Sequence, residues 1–151
     1  MNDVSKKNKL GIIGFGNFFY FMFPYLDPYF DIFVYDVKYI VDKALSLGVR
    51  NVSLQEVAQN DIVVLSVPVQ DFLEVVVSIK DYVQPGATII DVSSVKVKPL
   101  EIMCAHLPED AKILGTHPLF GPQSGAYGIH GLKIVLCPIR ITDLTPYLHF
   151  F

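Results

Sequence analysis

The stretch Lys9 to Asn17, Lys-Leu-Gly-Ile-Ile-Gly-Phe-Gly-Asn, constrains the chain more than any other. Its apolar part, Leu10 to Ile13, is too short and too β-branched for a helix, so it reads as a buried strand that breaks at Gly14. Such a break brings the N-terminus of the next helix beside the strand's own end. Gly14 can adopt backbone angles closed to residues with a Cβ, and Gly16 lets a bulky anion approach the main chain, where free N–H groups carry the helix's partial positive charge. Phosphate suits such a turn, held by Gly14, Phe15, Gly16, Asn17 and Phe18. The dinucleotide fingerprint G-x-G-x-x-G is met only in part, because Phe19 stands at the third small position.

A second strand-like run, Phe30 to Tyr35, ends in Asp36, 20 residues beyond Gly16. At that distance an acidic side chain can accept hydrogen bonds from an adenosine ribose. Strand, glycine turn, helix, strand and acid thus follow in the order of a dinucleotide-binding βαβ unit. The competing reading is a structural βαβ unit whose glycines only turn the chain and whose Asp36 caps the following helix.

The helix after Gly16 is aromatic nearly all round, with Phe18, Phe19, Tyr20, Phe21, Phe23 and Tyr25, and Pro24 removes one intrahelical bond, so a short or kinked helix is expected. Phe19 should hold it away from the first strand and loosen its grip on pyrophosphate. An aromatic helix of this kind can also cover another domain or a second subunit. Pro24, Asp27 and Pro28 interrupt the run long before the roughly 20 apolar residues of a membrane span, so no membrane partner is expected. With 151 residues, 52% of them hydrophobic, and a formal net charge of −3, one core is expected and a nucleic-acid partner is disfavoured, leaving a small molecule. Cys104 and Cys137 lack metal-like spacing and read as two buried thiols in a reducing cytoplasm.

Further along, Val37 to Leu47 closed by Gly48 reads as a helix, Gly48 to Val52 as a weak edge strand, and Ser53 with Glu56 as a capping box for a helix to Gln59. Asp61 to Val67 is a continuous apolar strand, Gln70 to Tyr82 an amphipathic helix, and Thr88 to Val92 another buried strand. Lys96 to His106 reads as a helix with Pro99 in its first turn, Lys112 to Thr116 as a sixth strand and Leu132 to Leu136 as a seventh. Thr142 or Asp143 can cap a closing helix. The alternation gives an α/β fold of the Rossmann type, a doubly wound, mostly parallel sheet with helices on both faces.

In such a sheet the strand carboxyl ends face the ligand crevice, so Ser66-Val67-Pro68 borders the middle of a bound cofactor, or else is a plain strand end with proline starting a turn. Ser94 and His117 follow two further strands onto the same rim. Oxidising an alcohol there needs a base for the hydroxyl proton and a cofactor for the hydride, and histidine, with an ordinary pKa near 6.5, is suited to be that base. Ser94 can hydrogen-bond the same hydroxyl or orient the imidazole. Lys96 reads either as a contact to a substrate carboxylate or the cofactor, or as a solvated lysine at a helix start. His106, His130 and His149 carry no positional signal and read as structural.

Gly-Phe-Gly-Asn, Ser-Val-Pro, Asp-Val-Ser-Ser-Val-Lys-Val-Lys-Pro and Gly-Thr-His-Pro-Leu-Phe-Gly-Pro-Gln-Ser-Gly occur here in that order. Together they resemble the prephenate and arogenate dehydrogenases of tyrosine biosynthesis, the arogenate type in particular, over Leu10 to about Arg140. The resemblance implies oxidative decarboxylation of a cyclohexadienol acid, with His117 taking the hydroxyl proton, Ser94 hydrogen-bonding that hydroxyl, Ser93 lying with the cofactor, and Lys96, Gln123 and Ser124 toward the substrate. Asp36 would repel a 2′-phosphate, which favours NAD, while Lys38 partly offsets that charge and keeps NADP as the alternative. Gln123 stands where arogenate-type members often have glutamate. Members of the family continue into a helical domain that dimerises, so the expected organisation is a flexible N-terminus at 1–8, a dinucleotide-binding catalytic domain at 9–140, and at 141–151 the start of a C-terminal helical domain or tail. A homodimer through that domain or through the aromatic first helix is the expected assembly. Two other readings are a related hydroxyacid or imine dehydrogenase and a non-catalytic NAD(P)-binding module.

Overall fold

The computed structural model describes residues 7–148, so His149 lies outside it. Seven strands form one sheet: β1 (Asn8–Ile13), β2 (Phe30–Tyr35), β3 (Arg50–Asn51), β4 (Ile62–Leu65), β5 (Thr88–Asp91), β6 (Lys112–Pro118) and β7 (Ile134–Pro138). Their order is β3-β2-β1-β4-β5-β6-β7, parallel throughout except that β7 runs antiparallel to β6. Six helices connect or follow them: α1 (Asn17–Leu26), α2 (Val41–Leu47), α3 (Leu54–Ala58), α4 (Phe72–Ile79), α5 (Val97–His106) and α6 (Thr145–Leu148).

The core follows from the two-residue period of the strands. Ile13, Val63, Leu65, Ile89 and Ile113 point to one face, where α3, α4 and α5 bury Val57, Phe72, Val76 and Met103 against them. Their neighbours Ile12, Val34, Ile90 and Leu114 point to the other, under Phe19 of α1, Ala44 of α2 and Tyr147 of α6. Both faces are covered, which is why the central strands read as unbroken apolar runs.

Several boundaries move for identifiable reasons. β1 begins at Asn8, which is therefore paired with Phe30 and not part of a loose terminus. α2 starts only at Val41, because Asp36 Oδ1 accepts a hydrogen bond from the Lys38 amide at 2.8 Å and bends the chain before a helix can start. Gly48 then ends α2 at φ 71°, a left-handed conformation that favours glycine. α4 is entered through a 3₁₀ turn at Val69–Asp71. β6 continues through His117 to Pro118, because β7 supplies pairing partners as far as Ile134. The Ser53 and Glu56 capping box forms as expected, and Asp143 accepts from the Thr145 amide at 2.9 Å at the start of α6.

α1 runs on past Pro24 to Leu26. Phe19 is buried against Phe15 at 4.7 Å and Phe23 at 6.0 Å, and the helix backbone makes few close approaches to any strand. A phenylalanine thus fills the position where a small residue would let helix and strand touch. An apolar cleft runs beneath α1, lined by Phe18, Met22, Leu26, Val64, Ile90 and Val92 among others. Tyr147 from α6 closes the far side of this face, with its hydroxyl 2.6 Å from Thr88 Oγ1. Among the described residues, no helix is long and apolar enough to cross a membrane.

Candidate active site at the carboxyl rim of the sheet

Because β1, β2, β4, β5 and β6 are parallel, the turn at Gly14–Gly16, Asp36, Ser66–Pro68, Ser93–Ser94 and His117 all lie at one rim. The turn after β1 has the strictest backbone requirements. Gly14 has φ 105°, and a Cβ there would collide with the Ser66 carbonyl of the adjacent strand end. Gly16, by contrast, is extended at φ −93° and ψ −169° with open space where a Cβ would project. It is the N-cap of α1, no side chain caps that terminus, and no acidic residue occupies its first turn. The N-terminus of α1 therefore keeps its partial positive charge uncompensated by any capping or acidic side chain of its own first turn, which suits an anion.

Asp36 connects this turn to β2. Its Oδ2 accepts from the Phe15 amide at 2.7 Å and its Oδ1 from the Lys38 amide at 2.8 Å. An ionised carboxylate has about four acceptor sites, so each oxygen keeps capacity for a ribose hydroxyl. Phe15, expected at the phosphate, is engaged within the chain. Its amide is spent on Asp36, and its ring is buried between Phe19 and Tyr20. Asn17 is exposed beside Gly16, and Phe18 turns into the cleft beneath α1.

A buried polar network joins the ends of β5 and β6. Asp91 is fully buried; its Oδ1 accepts from the Ser93 amide at 2.8 Å and the Ser93 hydroxyl at 2.6 Å, while its Oδ2 pairs with the Lys96 ammonium. Lys96 donates also to the Thr116 carbonyl at 2.6 Å, and Thr116 Oγ1 donates to the Asp91 carbonyl at 2.8 Å. Burial pushes the Lys96 ammonium down, to about 8, and Cys137 acts in the opposite sense. The ion pair with Asp91 also works against burial by favouring the charged form. Lys96 was expected to contact a substrate carboxylate or the cofactor, or to be a solvated lysine at a helix start; its inward pairing corrects the solvated reading. Asp91 and Thr116 were not singled out in the sequence. The signal available was an aspartate ending the otherwise apolar run Thr88-Ile89-Ile90-Asp91.

Ser94 is exposed on the loop that this network holds. His117 is half-buried within β6 opposite Val135, and no protein group among the described residues hydrogen-bonds its imidazole. The segment between β6 and β7 folds back over α1: Phe120 stacks edge-on to Phe21 at 6.1 Å, and a Cβ on Gly125 would strike the same ring. Part of the aromatic surface of α1 is thus used within the chain. Gln123 and Ser124 are exposed on this segment, where Ser124 Oγ accepts from the Gly121 amide at 2.9 Å. His106 and His130 are exposed, and so is Cys104, contrary to the buried thiol expected, because it lies on the outer side of α5.

Residues 32–146 match the model of the family described as "Prephenate dehydrogenase, nucleotide-binding domain". The chain is 32% identical to "Arogenate dehydrogenase 1, chloroplastic" of Arabidopsis thaliana over 146 residues, which is 93% of this chain and 23% of the plant protein. Among solved structures, prephenate dehydrogenase from Aquifex aeolicus superposes with a TM-score of 0.76 at 26% identity, covering 95% of this chain and 57% of that one. A second structure of the A. aeolicus enzyme, in complex with hydroxyphenyl propionate and NAD+, superposes at 0.73 with 26% identity, over 97% of this chain and 56% of that one. The chain therefore spans less than two thirds of the length of these relatives. The family match takes in every strand from β3 to β7, with the loop that carries Ser94 and the strand that carries His117, and by it the chain belongs to the family of prephenate dehydrogenase nucleotide-binding domains.

Proposed function

We propose that this chain is the nucleotide-binding and catalytic half of an NAD-dependent dehydrogenase that oxidatively decarboxylates arogenate or prephenate. The observation that carries the reading is the convergence, on one rim, of an uncapped helix N-terminus behind Gly16, the carboxylate of Asp36 and the unpaired imidazole of His117. The relative crystallised with NAD+ and hydroxyphenyl propionate supports the same pairing of nucleotide and ring acid.

In this reading Gly14, Gly16, Asn17 and Phe18 form the diphosphate side of the site, Asp36 accepts from the adenosine ribose, and Ser66, Val67, Pro68 and Ser93 border the middle of the nucleotide. NAD supplies a hydride acceptor when bound. His117 accepts the proton of the substrate hydroxyl, for which its side chain has no competing partner among the described residues. Ser94, exposed at the neighbouring strand end, hydrogen-bonds that hydroxyl and holds it toward the imidazole. Gln123 and Ser124 contact the substrate from the segment packed on α1. Loss of carbon dioxide leaves an aromatic ring, which makes the step effectively irreversible. The Asp36 charge disfavours a 2′-phosphate, so NAD is assigned ahead of NADP. Two free thiols suit a reducing compartment such as the cytoplasm, and a homodimer is the assembly expected.

The test is a substrate panel run with NAD and with NADP on this chain and on the longest natural polypeptide that contains it. Turnover of arogenate or prephenate supports the reading. Activity only on small hydroxy acids or cyclic imines, or nucleotide binding without turnover in either form, would replace it.

A further inference from the structure

We infer that the buried pair of Asp91 and Lys96 is a clamp that fixes the Ser94 hydroxyl in register with the His117 imidazole, which makes both of them positioning residues for the reaction proposed above. The inference rests on that reading for its chemistry and on the hydrogen bonds for its geometry.

Ser94 lies on a short loop held at both ends by one carboxylate. Ser93, just before it, gives Asp91 Oδ1 both its amide and its hydroxyl proton, and Lys96, two residues after it, pairs with Oδ2. His117 directly follows Thr116, whose carbonyl accepts from Lys96 and whose hydroxyl donates to the Asp91 carbonyl. Two side chains, Lys96 and Thr116, thus link the end of β5 to β6, and Asp91 holds Ser93 and Lys96 on the β5 side, immediately beside the two residues whose separation matters. No buried side-chain polar atom among the described residues lacks a partner, so the network is complete.

Stability alone does not account for such a pair. Removing two charges from water costs several kcal/mol per ion, and a well-packed apolar pair of similar volume is often at least as stable. What an apolar pair cannot supply is direction. An ammonium donating to Asp91 and to a main-chain carbonyl fixes a distance, and a misplacement of about 1 Å at a reacting group can cost about 100-fold in rate.

The experiment compares the full chain with the double variant Asp91→Asn/Lys96→Met, which removes both charges and so leaves neither buried alone. The readouts are melting temperature, NADH titration, kcat and KM for the dehydrogenation, and the NMR resonances of the Ser94 amide and the His117 ring. The clamp predicts a folded variant that binds NADH within about threefold of wild type, with kcat lower by about 10-fold to 100-fold and KM changed far less. It also predicts displaced or broadened Ser94 and His117 signals while distant residues keep theirs. A folded variant with unchanged kcat and unchanged Ser94 and His117 signals overturns the clamp. If the double variant does not fold, Lys96→Arg decides: it keeps the charge but carries a longer, planar group, and the clamp requires a loss in kcat of about fivefold or more with a shifted His117 ring. Unchanged values there overturn it. Absence of wild-type turnover both in this chain and in the longest natural polypeptide that contains it counts against the proposed function, while the NMR comparison still accepts or rejects the clamp.

Discussion

The Asp36 carboxylate accepts a hydrogen bond from the amide of Phe15 at 2.7 Å, tying the acidic end of β2 to the glycine turn that ends β1. Asp36 therefore has two roles, bracing the turn and setting which nucleotide the turn accepts. Replacing it with Asn leaves an acceptor for one amide and removes the charge. Asp36→Asn is expected to weaken NADH binding by about 10-fold and to tighten NADPH, because a charged acceptor is lost on one side and a repulsion on the other. Parallel fluorescence titrations with the two reduced nucleotides measure the ratio.

The two glycines of the turn should respond in opposite ways. Gly14→Ala puts a Cβ into the Ser66 carbonyl at a positive φ, and it is expected to cost about 3 kcal/mol or more of folding stability. Gly16→Ala meets open space at an extended φ, so its stability should change by no more than about 1 kcal/mol. Its nucleotide affinity should nonetheless fall, since the added methyl occupies the approach to the amides. Denaturant midpoints and NADH titrations on both variants separate the two effects.

Glu56 takes the Ser53 amide at 2.9 Å and the Ser53 hydroxyl at 2.8 Å, and these donors hold its carboxyl below the ordinary 4.5. A carboxylate depressed in the folded state stabilises that state fully above the unfolded value, and the contribution is lost as pH falls through the lower folded value. Wild type should therefore exceed Glu56→Gln in urea midpoint near neutrality, with the difference closing only below about pH 4.5. A difference that is constant from pH 7 to about pH 3 would rule the capping role out.

Tyr147 connects the last helix to the sheet through Thr88 Oγ1 at 2.6 Å, in a buried setting. Tyr147→Phe is expected to destabilise the fold by about 1–3 kcal/mol. Equilibrium unfolding in urea checks this. A neutral result would mean that this hydroxyl contact adds little to the stability of the core.

Much of the architecture was legible because it follows from local rules. β2 was bounded correctly by its apolar run and Asp36, and α3 by a capping box whose two hydrogen bonds both form. What was not legible depends on partners distant in the sequence. β6 extends through His117 only because β7 returns antiparallel to pair with it, and no periodicity within Lys112 to Pro118 encodes that return. At the site, glycine spacing and the placement of Asp36 gave the turn, yet they could not show that the Phe15 amide would be spent on Asp36. The inward turn of Lys96 was the least legible feature. A lysine at a helix start is ordinarily solvated, and only the fold reveals a fully buried Asp91 five residues earlier that draws it inward. Phe19 was expected as a bulky residue under α1, and its ring is buried there.

The central claim is that the imidazole of His117 removes the substrate's hydroxyl proton beside a nucleotide held on the Gly14–Gly16 turn. The most direct measurement is the pH dependence of turnover for His117→Ala, alongside its NADH affinity. The account predicts unchanged NADH binding, a loss in turnover of about 10²–10⁴-fold, and a pH profile for the residual turnover that differs from that of wild type. Turnover that persists in His117→Ala with the wild-type pH profile would contradict it.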